Sequence, residues 1–196
     1  MYRTGLSRKP LLILGLVSAL PVLGITPSAA LELEDCRISA GEAFPSLKAR
    51  CGVLDRPLNP EDPESETIGI RVAVVPALNL EPDPDPLVPI AGGPGQGSVE
   101  FYTSYRGAFE AVRRNRDILL VDQRGTGESA RMDCEFDDDV VGGQMSKEET
   151  KELTQECLDS LPYDPRFFST SVAVTDLEAV REALGYPALN LYGVSY

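Results

Sequence analysis

The chain has 196 residues, 42% of them hydrophobic, enough for one substantial core and too few for two large domains. Lys and Arg number 18 against 31 Asp and Glu, a formal net charge of -13. A surface this acidic repels phosphate backbones, which argues against nucleic acid as a partner. The acidity identifies no partner of its own.

The opening segment, 1–30, differs from the rest. Arg3, Arg8 and Lys9 stand there without an acid, the apolar run "LLILGLVSAL" is closed by Pro21, and Ser28 and Ala30 sit at signal-peptidase spacing. This layout predicts a secretory signal peptide over 1–30 and a mature start at Leu31. The apolar run is short and broken for an anchor, so no stable membrane attachment is expected after cleavage. The mature protein is then exported, to the periplasm or beyond the cell. All four cysteines, Cys36, Cys51, Cys134 and Cys157, lie in the exported part. An oxidising compartment favours disulfides. Among the three possible connectivities, closeness in sequence favours Cys36–Cys51 and Cys134–Cys157. Each closes a modest loop and contributes about 3 kcal/mol on the entropic account. There is no CxxC and no histidine, so neither a metal nor a metal-dependent cofactor is expected.

From Cys51 to Ala77 the sequence predicts an antiparallel β-hairpin. In "TIGIRVAVVPA" the residues Ile68, Ile70, Val72 and Val74 share one face. The prolines of "ALNLEPDPDP" then forbid a helix and make a connecting loop. "LVPIA" runs into "GGPGQG", and "DILLVDQRGTGES" repeats the plan of an apolar strand followed by a glycine turn. Strands apolar on both sides point to a mostly parallel sheet covered by helices. Tyr102, Tyr105, Phe109 and Val112, at helical spacing between the two runs, complete a βαβ unit. Ser146 and Glu149 predict a capping box opening a helix that ends at Pro162, with Leu153, Cys157 and Leu161 on one face. A second helix carries the stripe Ala173, Leu177, Val180 and Leu184, with Gly185 as its cap and Pro187 as its stop. "ALNLYGVSY" predicts one more strand. The stretch "DCEFDDDVVGGQ" reads as a solvated loop.

Three places could carry chemistry. Ser195, in "YGVSY", comes after a strand and a glycine, as a nucleophile on a sharp strand-to-helix turn would. Gly92 and Gly93 end a strand, where backbone N–H groups can approach an oxygen that turns negative during acyl transfer. "GGPGQG" fits neither a dinucleotide fingerprint nor a phosphate-binding loop. In "DQRGTGES", Asp122 and Gln123 end a buried strand, and Arg124 can bond carbonyls or Asp122; these read as scaffold.

The ordered trio "GGPG", "DQRGTGES" and "DLEAVREALGYPALNLYGVSY" resembles the α/β-hydrolase fold. More narrowly, it is similar to the proline iminopeptidase and tripeptidyl-aminopeptidase-like group of exported serine peptidases, over roughly Cys51 to Tyr196. The resemblance implies Ser195 as the nucleophile. It implies that the N–H groups of Gly93 and Tyr196 form the oxyanion hole, with Gly92 shaping it. It implies hydrolysis near the free N-terminus of short peptides, without metal or cofactor. One departure is Ala91, where family members often carry a histidine, which weakens an assignment to proline iminopeptidase proper. The larger departure is the absence of any histidine. In such hydrolases the order is serine, acid, histidine, so both partners of Ser195 are expected beyond Tyr196. Residues 31–196 are therefore expected to be the N-terminal part of an α/β-hydrolase domain, truncated after the nucleophile strand. Alone they are expected to be inactive, poorly soluble and bare at an apolar strand edge. An esterase on the same fold and a non-catalytic, hydrolase-like binding remnant are the rival readings.

Overall fold

The structure is a computed structural model that describes residues 31–41, 45–93, 95–134 and 145–195. The predicted signal peptide and most of the acidic loop lie outside the described residues. Six strands run in chain order as β1 (Glu34–Ile38), β2 (Leu47–Pro57), β3 (Thr67–Val75), β4 (Leu87–Ile90), β5 (Ile118–Val121) and β6 (Asn190–Gly193). Between β4 and β5 lie α1 (Ser98–Tyr105), a 3-10 turn (Arg106–Phe109) and the short α2 (Glu110–Arg113). Between β5 and β6 lie α3 (Lys147–Ser160), a second 3-10 turn (Pro165–Phe167) and α4 (Thr170–Ala183).

The strands form one sheet in the order β1-β2-β3-β5-β4-β6. The β2–β3 hairpin is as the alternation predicts, with register from Arg50↔Val74 to Pro57↔Thr67. The expected mostly parallel sheet is corrected to a mixed one. The pairs β1/β2, β2/β3 and β3/β5 are antiparallel, and only β5, β4 and β6 run parallel. The parallel expectation rested on strands buried on both faces, and that signature belongs to the centre of this sheet alone. β1 is an edge strand whose "EDCRI" buries only Ile38 fully. A short charged edge carries little hydrophobic signal.

The sheet separates two apolar layers, and β3 shows how. Ile68, Ile70, Val72 and Val74 face a cluster with Leu119, Val121, the α4 residues Leu177 and Val180, and Leu184 at the C-cap of that helix. Ala73 and Val75 face the opposite cluster, with Ile118, Leu120 and the Val99, Phe101, Tyr102 and Phe109 of the α1 side. All four residues of β5, "ILLV", are buried, so this strand supplies both layers. Full burial of a side chain of this size stabilises by about 1.5–3 kcal/mol, which makes β5 the centre of the core.

The helices differ in how they are held. On α4, Gly185 takes φ +73, the left-handed cap its position predicts. α3 has the full capping box. The Glu149 N–H donates to Ser146 Oγ at 3.2 Å, and the Ser146 N–H donates to Glu149 Oε2 at 2.8 Å. That second bond holds the Glu149 carboxyl below its usual range. Yet α3 has no fully buried residue; Leu153, Cys157 and Leu161 are half-buried. A disulfide fixes it instead. Cys134–Cys157, with Cα atoms 5.5 Å apart, ties α3 to the segment after β5, and Cys36–Cys51, at 5.8 Å, clasps β1 to β2. Among the described residues, no helix is long and apolar enough to cross a membrane, and no group of His, Cys, Asp and Glu could hold a metal ion.

Candidate active site

Two neighbouring parallel strands place the predicted residues. β4 and β6 pair from Leu87↔Asn190 to Ile90↔Gly193, and the Val194 N–H donates to the Ile90 carbonyl at 3.1 Å. The ladder is therefore closed up to the last residue of each strand. The residues after β4 (Ala91, Gly92, Gly93) and those after β6 (Val194, Ser195) leave the sheet side by side at its carboxyl end. Gly92, Gly93 and Ser195 line one cleft of about 350 Å³, together with Phe101, Tyr105, Phe109 and Tyr192. A second cleft of about 260 Å³ brings Gly92 and Ser195 together with Gln96, Gln123 and Thr126. Ser195 thus stands between an aromatic wall and a polar one. Tyr196 lies outside the described residues.

The backbone at both turns is unusual. Ser195 has φ +55, a left-handed conformation that costs a non-glycine residue about 1–3 kcal/mol and persists only where the surroundings enforce it. Its side chain is exposed rather than packed. A nucleophile elbow has such a strained, outward serine. Gly93 has φ +129, and a Cβ there would lie 3.1 Å from the Gly95 nitrogen and 3.2 Å from that of Gln96. Glycine at this position lets the following amides fold over it. The Gln96 N–H closes the turn on the Gly92 carbonyl at 3.2 Å.

The "DQRGTGES" turn after β5 is built for support. The buried Asp122 accepts the Val99 N–H at 3.0 Å and the Glu128 N–H at 3.1 Å. Burial pushes its carboxyl above the usual carboxylate range, against the pull of the Val99 N–H and of the Arg71 charge. Gly127 packs so closely on this carboxylate that a Cβ would overlap it. Arg124 bonds carbonyls, as one expectation had it: its Nη1 donates to Leu58 at 2.8 Å and to Phe167 at 3.0 Å. Its acidic partner is Asp176 on α4 rather than Asp122. Arg124 Nε donates to Asp176 Oδ2 at 2.7 Å and Nη2 to Oδ1 at 2.9 Å, with Arg56 Nε adding a bond at 3.1 Å. Sequence reasoning missed Asp176. Its signal was an acid between Ala173 and Leu177 on the apolar side of a helix, where a buried charge needs a buried partner.

No family model matches the chain. Two curated relatives do. Both are named tripeptidyl aminopeptidase, one from Streptomyces coelicolor and one from Streptomyces lividans, and each is 26% identical over 185 residues. The match covers 86% of this chain and 34% of each relative, so the chain spans about a third of the length of the curated relatives it matches. This distant similarity points toward peptidases.

Proposed function

We propose that this chain carries the nucleophile and the oxyanion-hole donors of an exported serine peptidase with the α/β-hydrolase fold. The enzyme removes short peptides or single residues from the free N-terminus of peptide substrates. One observation carries the reading: a left-handed, exposed Ser195 leaves β6 beside the diglycine turn of β4, with the two strands hydrogen-bonded to their ends. The α/β class and the relatives' name support it. The two disulfides fit an oxidising compartment.

In this mechanism Ser195 Oγ attacks the carbonyl carbon of the scissile peptide bond. The carbonyl oxygen turns negative and takes hydrogen bonds from the N–H groups of Gly93 and Tyr196, while Gly92 keeps the turn close. The serine proton passes to an imidazole and then to the leaving amine. The chain has no histidine, so that imidazole and its acid partner come from a different segment of the intact polypeptide. Without them the hydroxyl stays protonated, and residues 31–196 alone hydrolyse nothing.

The test uses the intact polypeptide and a fluorophosphonate probe. Wild-type protein becomes labelled at Ser195. Ser195→Ala is not labelled and loses roughly 10⁴–10⁶-fold in kcat on a peptidyl nitroanilide. Labelling at another serine, or undiminished turnover in the variant, refutes the assignment.

A further inference from the structure

On the polar wall of the cleft beside Ser195 two side chains, Gln123 and Thr170, make no hydrogen bond to a described residue, and of the two only Gln123 is half-buried while Thr170 is exposed. Thr126 Oγ1 donates to the Gln123 carbonyl at 2.9 Å, Gln96 Nε2 donates to Glu100 at 3.4 Å, and Ser169 Oγ caps α4 by accepting the Val172 N–H. On either side of Gln123 in sequence, Asp122 and Arg124 are buried and fully engaged within the protein. The half-buried carboxamide of Gln123 makes no hydrogen bond to any described residue, and it lines the cleft with Ser195 and Gly92. Its main chain is held firmly, because its carbonyl also accepts the Thr126 N–H at 2.9 Å. A rigidly mounted, unspent amide at a cleft is suited to recognition.

A carboxamide offers one acceptor and two donors, the complement of a peptide unit, whose N–H donates and whose C=O accepts. We infer that Gln123 is a specificity-determining residue that hydrogen-bonds a main-chain peptide unit on the acyl side of the scissile bond. This deepens the proposed peptidase reading and rests on it. The implied substrate class is an extended oligopeptide with at least one peptide unit before the cleaved bond. A single aminoacyl group offers Gln123 no such unit.

The experiment compares a tripeptidyl and a single aminoacyl substrate that end in the same residue and carry the same nitroanilide leaving group, on the intact polypeptide. Gln123→Leu loses roughly tenfold more kcat/KM on the tripeptidyl substrate than on the aminoacyl one, as deletion of one buried hydrogen bond to substrate implies. Gln123→Glu keeps the shape and the acceptor, removes the donors, and falls between the two. Equal losses on both substrates would indicate a structural role and overturn the inference, as would no loss on either. Fluorophosphonate labelling separates the two levels of the argument. If the wild type is unlabelled, the peptidase reading fails. If Ser195 is labelled and the substrate ratio stays fixed in both variants, Gln123 alone is misassigned.

Discussion

Two glycine-rich turns leave adjacent parallel strands at the same end of the sheet, and they are built in opposite ways. The turn after β5 is filled: Asp122 receives two backbone N–H groups, Arg124 joins three segments, and Gly127 is pressed against a carboxylate. The turn after β4 is open: Gly92 and Gly93 border clefts, and their neighbour across the ladder is an exposed Ser195. Glycine serves close packing in the first and backbone access in the second. A motif rich in glycine therefore says little about function until its side chains are known to be engaged or free.

The sharpest challenge to this contrast is Arg124→Met. It leaves Asp176 buried with only Arg56 for company, and we expect a stability loss of about 3–5 kcal/mol in urea unfolding. Arg124→Lys recovers little of it, since an ammonium cannot reproduce the forked bonds to Asp176 and the two carbonyls. A smaller and more telling pair compares the glycines. Gly127→Ala meets the Asp122 carboxylate and costs about 2–3 kcal/mol of stability. Gly93→Ala strains a backbone at φ +129 and costs about 1–3 kcal/mol, and on the proposed function its distinguishing effect is lost peptide turnover by the intact polypeptide. Unchanged turnover in Gly93→Ala, or lost turnover in a folded Gly127→Ala, would erase the distinction between filled and open turns.

The smallest expected effect is in pH dependence. Burial raises the Asp122 carboxyl above its unfolded value, so the folded state binds that proton more tightly than the unfolded chain. Its contribution is most favourable below the unfolded value and declines as pH rises through the folded one. Glu149, held low by its capping bonds, acts in reverse: its contribution is lost as pH falls through its folded value. Urea midpoints between about pH 3 and 7 should lose the Asp122 component in Asp122→Asn. That variant also turns an amide donor toward the Val99 or Glu128 N–H, so it is less stable than wild type above this range.

The parts of this fold that announce themselves in sequence are those where one periodicity acts alone. The alternation in β3, the stripe and glycine cap of α4, and the capping box of α3 are local, and each appears where its pattern puts it. Nearness along the chain also foretold both cystine pairs. The strand β1 escaped notice because an edge needs only one buried residue, and no pattern arises from one. The share of antiparallel pairing escaped because burial on both faces records depth in the sheet and carries no strand direction. In the candidate site, ordered motifs singled out Gly92, Gly93 and Ser195, and the structure brings the three to one cleft, while their catalytic roles belong to the proposal. The partnership of Arg124 with Asp176 was not, since 52 residues separate them and only the packing of α4 on the sheet brings them together.

The carboxylate of Asp122 has a mechanical meaning. One oxygen holds the start of α1, the helix just after the diglycine turn, and the other holds the backbone of the β5 turn at Glu128. The two banks of the polar cleft are thereby pinned to a single rivet. The gap between Gly92 and Gln123 is then a gauge machined into the scaffold, its width tied to one carboxylate.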